Sequence, residues 1–369
     1  MSLRVAVPVE QYWHRVPGGT ARATRETLRA LQQIEAISLA PVAAWHRPSR
    51  RRPAGEPATG LDPVRYLPVP RPALYESWIR WNRPAVERWT GPVDVAWAAT
   101  MIPVPSGAPM VATVHDLGFL DNPERSSRRG RSFFPRAWAA VEERAALIVC
   151  PSRVVADDCA RHGVDPARVR VVPWGVGPPL CDQSEAEEIR DSFGLPECFV
   201  LWVGTMEPRK NLPRLVAAID RLDGPPLAVV GPSGWQLDGE DVLAPLGRRA
   251  VRLGEVDDRQ LSGLYRSASA LALPSLVEGF GLPVLEAMAH GTPVVTGAGT
   301  ATEEVAGGAA ELVDPTDVAS IVAGLEIALR GDATTMRRVE RGLERARHLS
   351  WSATACGYVA VFREAAGGR

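Results

Sequence analysis

Lys210 is the only lysine in a chain of 369 residues with 42 basic side chains. It stands in the stretch LWVGTMEPRKN, residues 201–211, just past a strand-like apolar run and Gly204. An ammonium is a compact point charge with rotatable donors, whereas a guanidinium is a planar fork. A site that presses one positive charge against a phosphate oxygen can require the first. A single lysine also has to fall somewhere, and most lysines are solvated, so position alone leaves both readings open. Downstream, Glu278 and Glu286 lie eight positions apart, with Gly279, Gly281 and Pro283 between them. On one continuous helix they would stand about 12 Å apart, at roughly 1.5 Å per residue. The glycines argue against that helix, and Pro283 suits the first turn of a new one. Glu278 is therefore expected in a loop at a strand end, and Glu286 about one turn inside a helix that Gly291 terminates. Amides around Phe280 to Val284 would then face outward at the positive end of a helix dipole. The result is an anion cradle flanked by two carboxylates, which suit sugar or ribose hydroxyls as acceptors.

These residues need elements to hold them. In the second half, residues 199–203, 227–230, 250–253, 271–273 and 293–296 read as strands. Helices are predicted over 212–222, 259–267 and 282–290. Such alternation predicts a doubly wound parallel sheet. In the first half, residues 3–9 read as a buried parallel strand, followed by Pro17, Gly18, Gly19 and Thr20 and a helix over 21–31. Strand, Gly-Gly turn and helix can present backbone N–H groups to an anion. Gly-Gly is also simply a turn, and the dinucleotide fingerprint GxGxxG is absent. Strands follow at 93–99 and 109–114, the second ending at His115 and Asp116. A histidine at the carboxyl end of a parallel strand stands where open α/β sheets bind ligands. It could donate to a sugar hydroxyl or a phosphate, or be satisfied by Asp116. Residues 147–151 read as a strand with Ser152 as the N-cap of the next helix, and 169–172 as a short strand. The Pro/Gly-dense run that starts at Pro173 sets a domain boundary after residue 178.

The formal net charge is −1, which does not suit a nucleic-acid binder. The halves differ: residues 1–150 hold 20 arginines against 13 acids, a balance of +7, leaving −8 for the remainder. Seven of the 11 tryptophans also lie there, so an anionic or sugar-like partner, or a membrane surface, is expected on that half. Residues 46–60 form a Pro/Gly/Arg-rich loop. Of Trp78, Trp81 and Trp89, at least two are expected in the core. Arg125, Arg128, Arg129 and Arg131 cluster beside Phe133 and Phe134. That pattern fits an anionic acceptor site or membrane lip, and equally a solvated charged loop. Five scattered cysteines without a CxxC pair argue against a disulfide framework or zinc site and for a reducing, cytoplasmic compartment. No signal-peptide pattern opens the sequence. The longest uncharged run, 95–114, is broken by prolines, so any contact with the inner face of the plasma membrane would be peripheral.

LWVGTMEPRKNL, GEVDD, SLVEGFGLPVLEAMAHGTPVV and LSWSATA resemble, in order and spacing, the retaining GT-B glycosyltransferases of family 4. The likeness covers the second half. It extends more loosely to GGTARATRETLRAL, TVHDLGFLDNPE and VCPSRVV, where it leans to mannosyltransferase-like members. It implies two facing Rossmann-like domains with a cleft between them: residues 1–178 for the acceptor, 179–350 for a nucleotide-sugar donor, and 351–369 crossing back to the first. Arg209 and Lys210 would neutralise the donor diphosphate. Glu278 would hold sugar hydroxyls, near Gly204 and the amides of Gly279, Phe280, Gly281 and Leu282. Glu286 would bind the ribose diol, and Val256 and Asp258 would flank the base. Gly18 and Gly19 would approach the phosphates from the other domain, and His115 the sugar. Thr205 follows Gly204 where some relatives carry a second phosphate-binding arginine, which puts the burden on Arg209.

The implied reaction moves a hexose, mannose first, to a glycan, glycolipid or metabolite hydroxyl. GDP-mannose leads as donor, with UDP-sugars behind it. Leaving-group charge must be stabilised. No Asp-x-Asp follows a strand, so fixed cations and a helix N-terminus are expected in place of a metal, with no other cofactor. A P-loop is excluded by the context of Lys210, and GPSGW puts Ser233 out of frame for a serine hydrolase. A GT-B sugar-nucleotide epimerase and a non-catalytic nucleotide-sugar binder are the remaining alternatives.

Overall fold

Continuous apolar runs that are buried on both faces make parallel strands, because helices cover both sides of such a sheet. Both halves of the chain follow this rule. A computed structural model describes residues 2–13, 18–47, 61, 63–123, 128–234 and 237–367. The chain divides into two units, Met1–Pro173 with Trp351–Arg369, and Trp174–Ser350.

The first unit holds β1 (Leu3–Pro8), β2 (Ile37–Ala43), β3 (Arg65–Tyr66), β4 (Val95–Ala98), β5 (Met110–Thr113), β6 (Ala145–Cys150) and β7 (Val169–Val171). Their order in the sheet is β3-β2-β1-β4-β5-β6-β7, and the paired strands are parallel. Successive side chains alternate between faces. Ala6, Ala96 and Ala112 enter one core; Val5, Val95, Trp97 and Val111 enter the other.

The second core is completed from the far end of the sequence. The helix Trp351–Gly367 lays Tyr358 and Phe362 on Trp97, with ring centroids 4.9 and 5.7 Å apart. The Tyr358 hydroxyl lies 2.9 Å from Thr113 Oγ1, which also accepts from Trp97 Nε1 at 3.0 Å.

The second unit holds β8 (Val200–Val203), β9 (Leu227–Val230), β10 (Ala250–Gly254), β11 (Ala270–Leu273), β12 (Val294–Gly297) and β13 (Glu311–Val313). Their order is β10-β9-β8-β11-β12-β13. From β8 the chain steps outward to β9 and β10, then returns to place β11 on the other side of β8. The carboxyl ends of β8 and β11 therefore flank the point where the winding reverses, which is where such sheets bind ligands.

Two sequence expectations need correction. The boundary after residue 178 is displaced to Pro173 because residues 174–178 pack into the second unit. Trp174 lies 5.2 Å from the Phe280 ring, and Val176 N donates to Leu349 O at 2.9 Å. The charged segment 124–137 is helical from Arg128, within the helix Arg128–Arg144. Arg128, Arg129 and Arg131 are exposed on it, while Phe133 packs near Tyr75 and Phe134 near Phe119. Arg125 and residues 48–60 lie outside the described residues. Trp78 is buried and Trp89 packs against the core, whereas Trp81 is 67% exposed. Among the described residues no helix is long and apolar enough to cross a membrane.

Candidate functional site

Two strand-end loops meet at the reversal point of the second sheet. The loop after β8 carries a 3-10 turn, Pro208–Lys210, and then Asn211 in the left-handed region at φ 59°. The loop after β11 runs from Pro274 to Gly281 and opens the helix Leu282–Ala289. Leu276 N donates to Arg209 O at 2.8 Å. Asn211 Nδ2 donates to Pro274 O at 2.9 Å and to Pro315 O, beyond β13, at 2.6 Å. One amide thus ties three strand ends together. The lysine stem passes Gly204, where a Cβ would sit 3.4 Å from Lys210 Cε, at ordinary contact distance. Gly231, after β9, packs so closely that a Cβ would stand 2.1 Å from the Gly204 carbonyl oxygen.

Lys210 is buried, and its ammonium donates to Glu278 Oε1 at 2.5 Å. Ser275 Oγ donates to the same oxygen at 2.8 Å. Arg209 Nη1 donates to Glu278 Oε2 at 3.0 Å, and Arg209 Nε to Glu207 Oε2 at 2.8 Å. Burial drives the Lys210 pKa below that of an ordinary lysine, and the charge of Glu278 opposes the fall without cancelling it. Burial pushes Glu278 upward, but Lys210 and Arg209 outweigh it and hold the carboxyl at about 2. Glu278 is therefore a fixed anion clasping two cations. An ionised carboxylate has about four lone-pair sites. Three are taken by Lys210, Ser275 and Arg209, which leaves room for one hydroxyl. Lys210 spends one of its three N–H donors on Glu278.

Glu286 sits inside the helix Leu282–Ala289, buried, and accepts from the Tyr265 hydroxyl at 2.8 Å. Gly291 follows that helix at φ 74°. Gly281 caps its start at φ 100°, where a Cβ would lie 2.5 Å from Thr302 Cγ2. The amide cradle is narrower than expected. Pro283 has no N–H, and Val284 N donates to Gly281 O at 3.0 Å. Phe280, Gly281 and Leu282 remain as the amides of the cradle, at a buried helix start beside Gly279. The Phe280 side chain is core, packed on Trp174. Val256 is half-buried beyond β10, and exposed Asp258 begins the helix Asp258–Ser267, which Asp257 caps with Gln260.

In the first unit, Gly18 and Gly19 start the helix Gly19–Gln32 and are exposed. A Cβ on Gly18 would meet no atom of the described residues within 4 Å. His115 follows β5, and its Nε2 lies 3.0 Å from the carbonyl of Ala99, just past β4. Asp116 acts on the ring through its charge, while its Oδ1 accepts from Gly118 N at 3.2 Å. Burial lowers the His115 pKa to about 4, so the ring is neutral at pH 7 and can offer a phosphate no full charge.

Sequence reasoning passed over Glu207, Asn211, Tyr265 and Ser275. Only Glu207 and Asn211 left a signal, as neighbours of Arg209 and Lys210. Among the described residues no three His, Cys, Asp or Glu side chains gather as metal ligands.

Two family models match the chain: Glycosyltransferase Family 4 over residues 17–178 and Glycosyl transferases group 1 over residues 185–345. The chain is 33% identical over 256 residues to O-antigen chain mannosyltransferase B of Escherichia coli, covering 65% of this chain and 66% of that one. It is 34% identical over 294 residues to D-inositol 3-phosphate glycosyltransferase of Salinispora arenicola, covering 70% and 64%. The match thus spans just under two thirds of either relative. Among solved structures, sucrose-phosphate synthase of Thermosynechococcus elongatus superposes with a TM-score of 0.78 at 21% identity, covering 100% of both chains. Anabaena HepE, in complex with UDP-glucose, gives 0.75 at 15% identity, covering 98% of this chain and 100% of that one.

Proposed function

We propose a reaction for a chain that belongs to the group 1 glycosyl transferases, family 4, with the GT-B fold: transfer of a hexosyl unit from a nucleoside diphosphate sugar to an acceptor hydroxyl. The observation that carries it is the buried cluster of Lys210, Glu278 and Arg209 at the reversal point of the second sheet. In this reading Lys210 and Arg209 meet the diphosphate, with the amides of Phe280, Gly281 and Leu282 beside them. Glu278 holds both cations in place and takes one sugar hydroxyl. Glu286, oriented by Tyr265, accepts from the ribose diol, and Val256 and Asp258 border the base. Gly18, Gly19 and His115 belong to the other unit, and their part in donor binding rests on the family likeness.

In the reaction the bond from the anomeric carbon to the diphosphate oxygen breaks. The acceptor oxygen bonds to that carbon from the same face, with retention. The acceptor proton passes to the departing phosphate oxygen. Charge grows on the leaving group, where a preorganised ammonium lowers the barrier most. The donor is GDP-mannose first and UDP-glucose second; the names of the two sequence relatives favour mannose or an inositol-linked acceptor, and the HepE complex favours UDP. Exposed Arg128, Arg129 and Arg131 are assigned to an anionic lipid surface, a role that salt-sensitive sedimentation with anionic vesicles reads.

The test is release of nucleoside diphosphate from a panel of nucleotide sugars. Lys210→Ala is expected to lose at least about 100-fold in turnover, the scale of one missing oxyanion donor. Lys210→Arg is expected to be poor as well, since a planar fork does not reproduce the point contact that the buried ammonium makes with Glu278. Wild-type turnover in either variant rejects the assignment. The fixed cations take the part of a divalent metal, so turnover should survive EDTA; loss restored by added Mg²⁺ or Mn²⁺ rejects that part.

A further inference from the structure

The first unit holds a polar cluster of its own at the carboxyl ends of β1 and β2. Glu10 follows β1 and opens the 3-10 turn Glu10–Trp13. It is 2% exposed, and its Oε1 accepts from Ala44 N at 2.5 Å and lies 3.2 Å from His46 Nε2. Its other oxygen, Oε2, is shielded from solvent and has no hydrogen-bond partner among the described residues. The neighbouring Gln11, 5% exposed, has its Oε1 in the same condition. Buried polar atoms are nearly always paired, because an orphan forfeits the hydrogen bonds it made to water. Two such acceptors on consecutive residues mark a place where donors belong.

The surroundings narrow the donor's chemistry. Trp13 stacks on His46 at 4.5 Å, and Tyr66 stands edge-on to both at 6.1 and 6.2 Å. The negative charge of Glu10 reaches the Tyr75 phenol on the helix Arg71–Trp81. After burial it is the next cause of that group's raised pKa, while Arg71 acts in the opposite sense. Arg71 already sets a positive charge against that phenol. A neutral polyol brings several O–H donors and no charge, and aromatic walls with a few placed acceptors suit such a ligand.

We propose that Glu10 and Gln11 form a subsite for adjacent hydroxyls of a neutral sugar or polyol, the acceptor of the transfer. This rests on the transferase reading above. The probes are methyl α-D-mannopyranoside and myo-inositol, titrated into the full-length protein and followed by saturation-transfer difference NMR. Both are expected to bind, and the permethylated glycoside, which has no O–H, is expected not to. Glu10→Gln keeps an acceptor for Ala44 but loses the charge, and should weaken binding about tenfold or more, the scale of one hydrogen bond to a charged group. Gln11→Ala should weaken it as well, and decides the matter if circular dichroism shows the Glu10 variant unfolded. Three outcomes overturn the subsite: neither polyol binds, the permethylated glycoside binds equally, or the folded variants bind like the wild type. Nucleotide release reads the transferase assignment separately. A protein that releases nucleotide but ignores polyols keeps that reading and loses this one; one that binds polyols and releases nothing keeps the subsite without its acceptor role.

Discussion

At Lys210 two opposed forces act on one proton. Burial disfavours the ammonium, and the Glu278 carboxylate at 2.5 Å favours it, with burial the stronger. The net direction is downward from the ordinary value of 10.5. Because this is the only lysine in the sequence, lysine labelled with ¹⁵N and ¹³C gives one side-chain signal, and its titration can be followed directly. It should titrate below 10.5. In Glu278→Gln the favourable charge is gone while burial stays, so the midpoint should move lower still. An unchanged or higher midpoint would mean that the two groups do not interact as the distance demands. The same sign applies to catalysis. Activity that needs the ammonium is present at low pH and is lost as pH rises through the lowered pKa.

The loops after β8, β11 and β13 form one element in practice, because Asn211 bonds into two of them from the third. Asn211→Ala removes both bonds and places alanine at φ 59°. The expected cost is about 2–4 kcal/mol, from stranded carbonyls and an unfavourable left-handed backbone. Asn211→Gly removes the same bonds without the backbone penalty, so chemical denaturation should rank it between the wild type and the alanine variant. Equal stability of alanine and wild type would mean that the clamp contributes nothing. Sequence reading reaches the strands β8 to β12 and the placement of Lys210 and Glu278 at strand ends, because parallel strands are continuous apolar runs. It does not reach their pairing. Residues 68 positions apart share no periodicity, so the sequence brings Lys210 and the two acids to one site without showing a direct ion pair between them. β3, with two residues, is too short to leave a pattern. β2 contains Pro41, and the helix Arg128–Arg144 contains Pro135 after an arginine-rich start, so local chemistry speaks against both until tertiary packing overrides it.

Across the whole molecule, the first unit is built from both ends of the sequence, while the second is one continuous segment, Trp174–Ser350. Tyr358 and Phe362 are at most 2% exposed in the first unit's core, against Trp97. Removing residues 351–369 would uncover that face of the sheet and leave Thr113 without the Tyr358 hydroxyl. Each large apolar side chain buried contributes roughly 1.5–3 kcal/mol. The helix buries several, and a domain's whole stability is only about 5–15 kcal/mol. A chain ending at Ser350 should therefore keep the cooperative melt of the second unit and lose that of the first. The reversal-point cluster lies wholly in the second unit, so GDP or UDP, whichever the intact protein binds, should still raise the remaining transition. Calorimetry with and without nucleotide reads both halves of the statement. A truncated chain that melts like the intact one would show that the returning helix is dispensable to the core. A remaining transition that ignores nucleotide would show that the second unit does not bind the donor by itself.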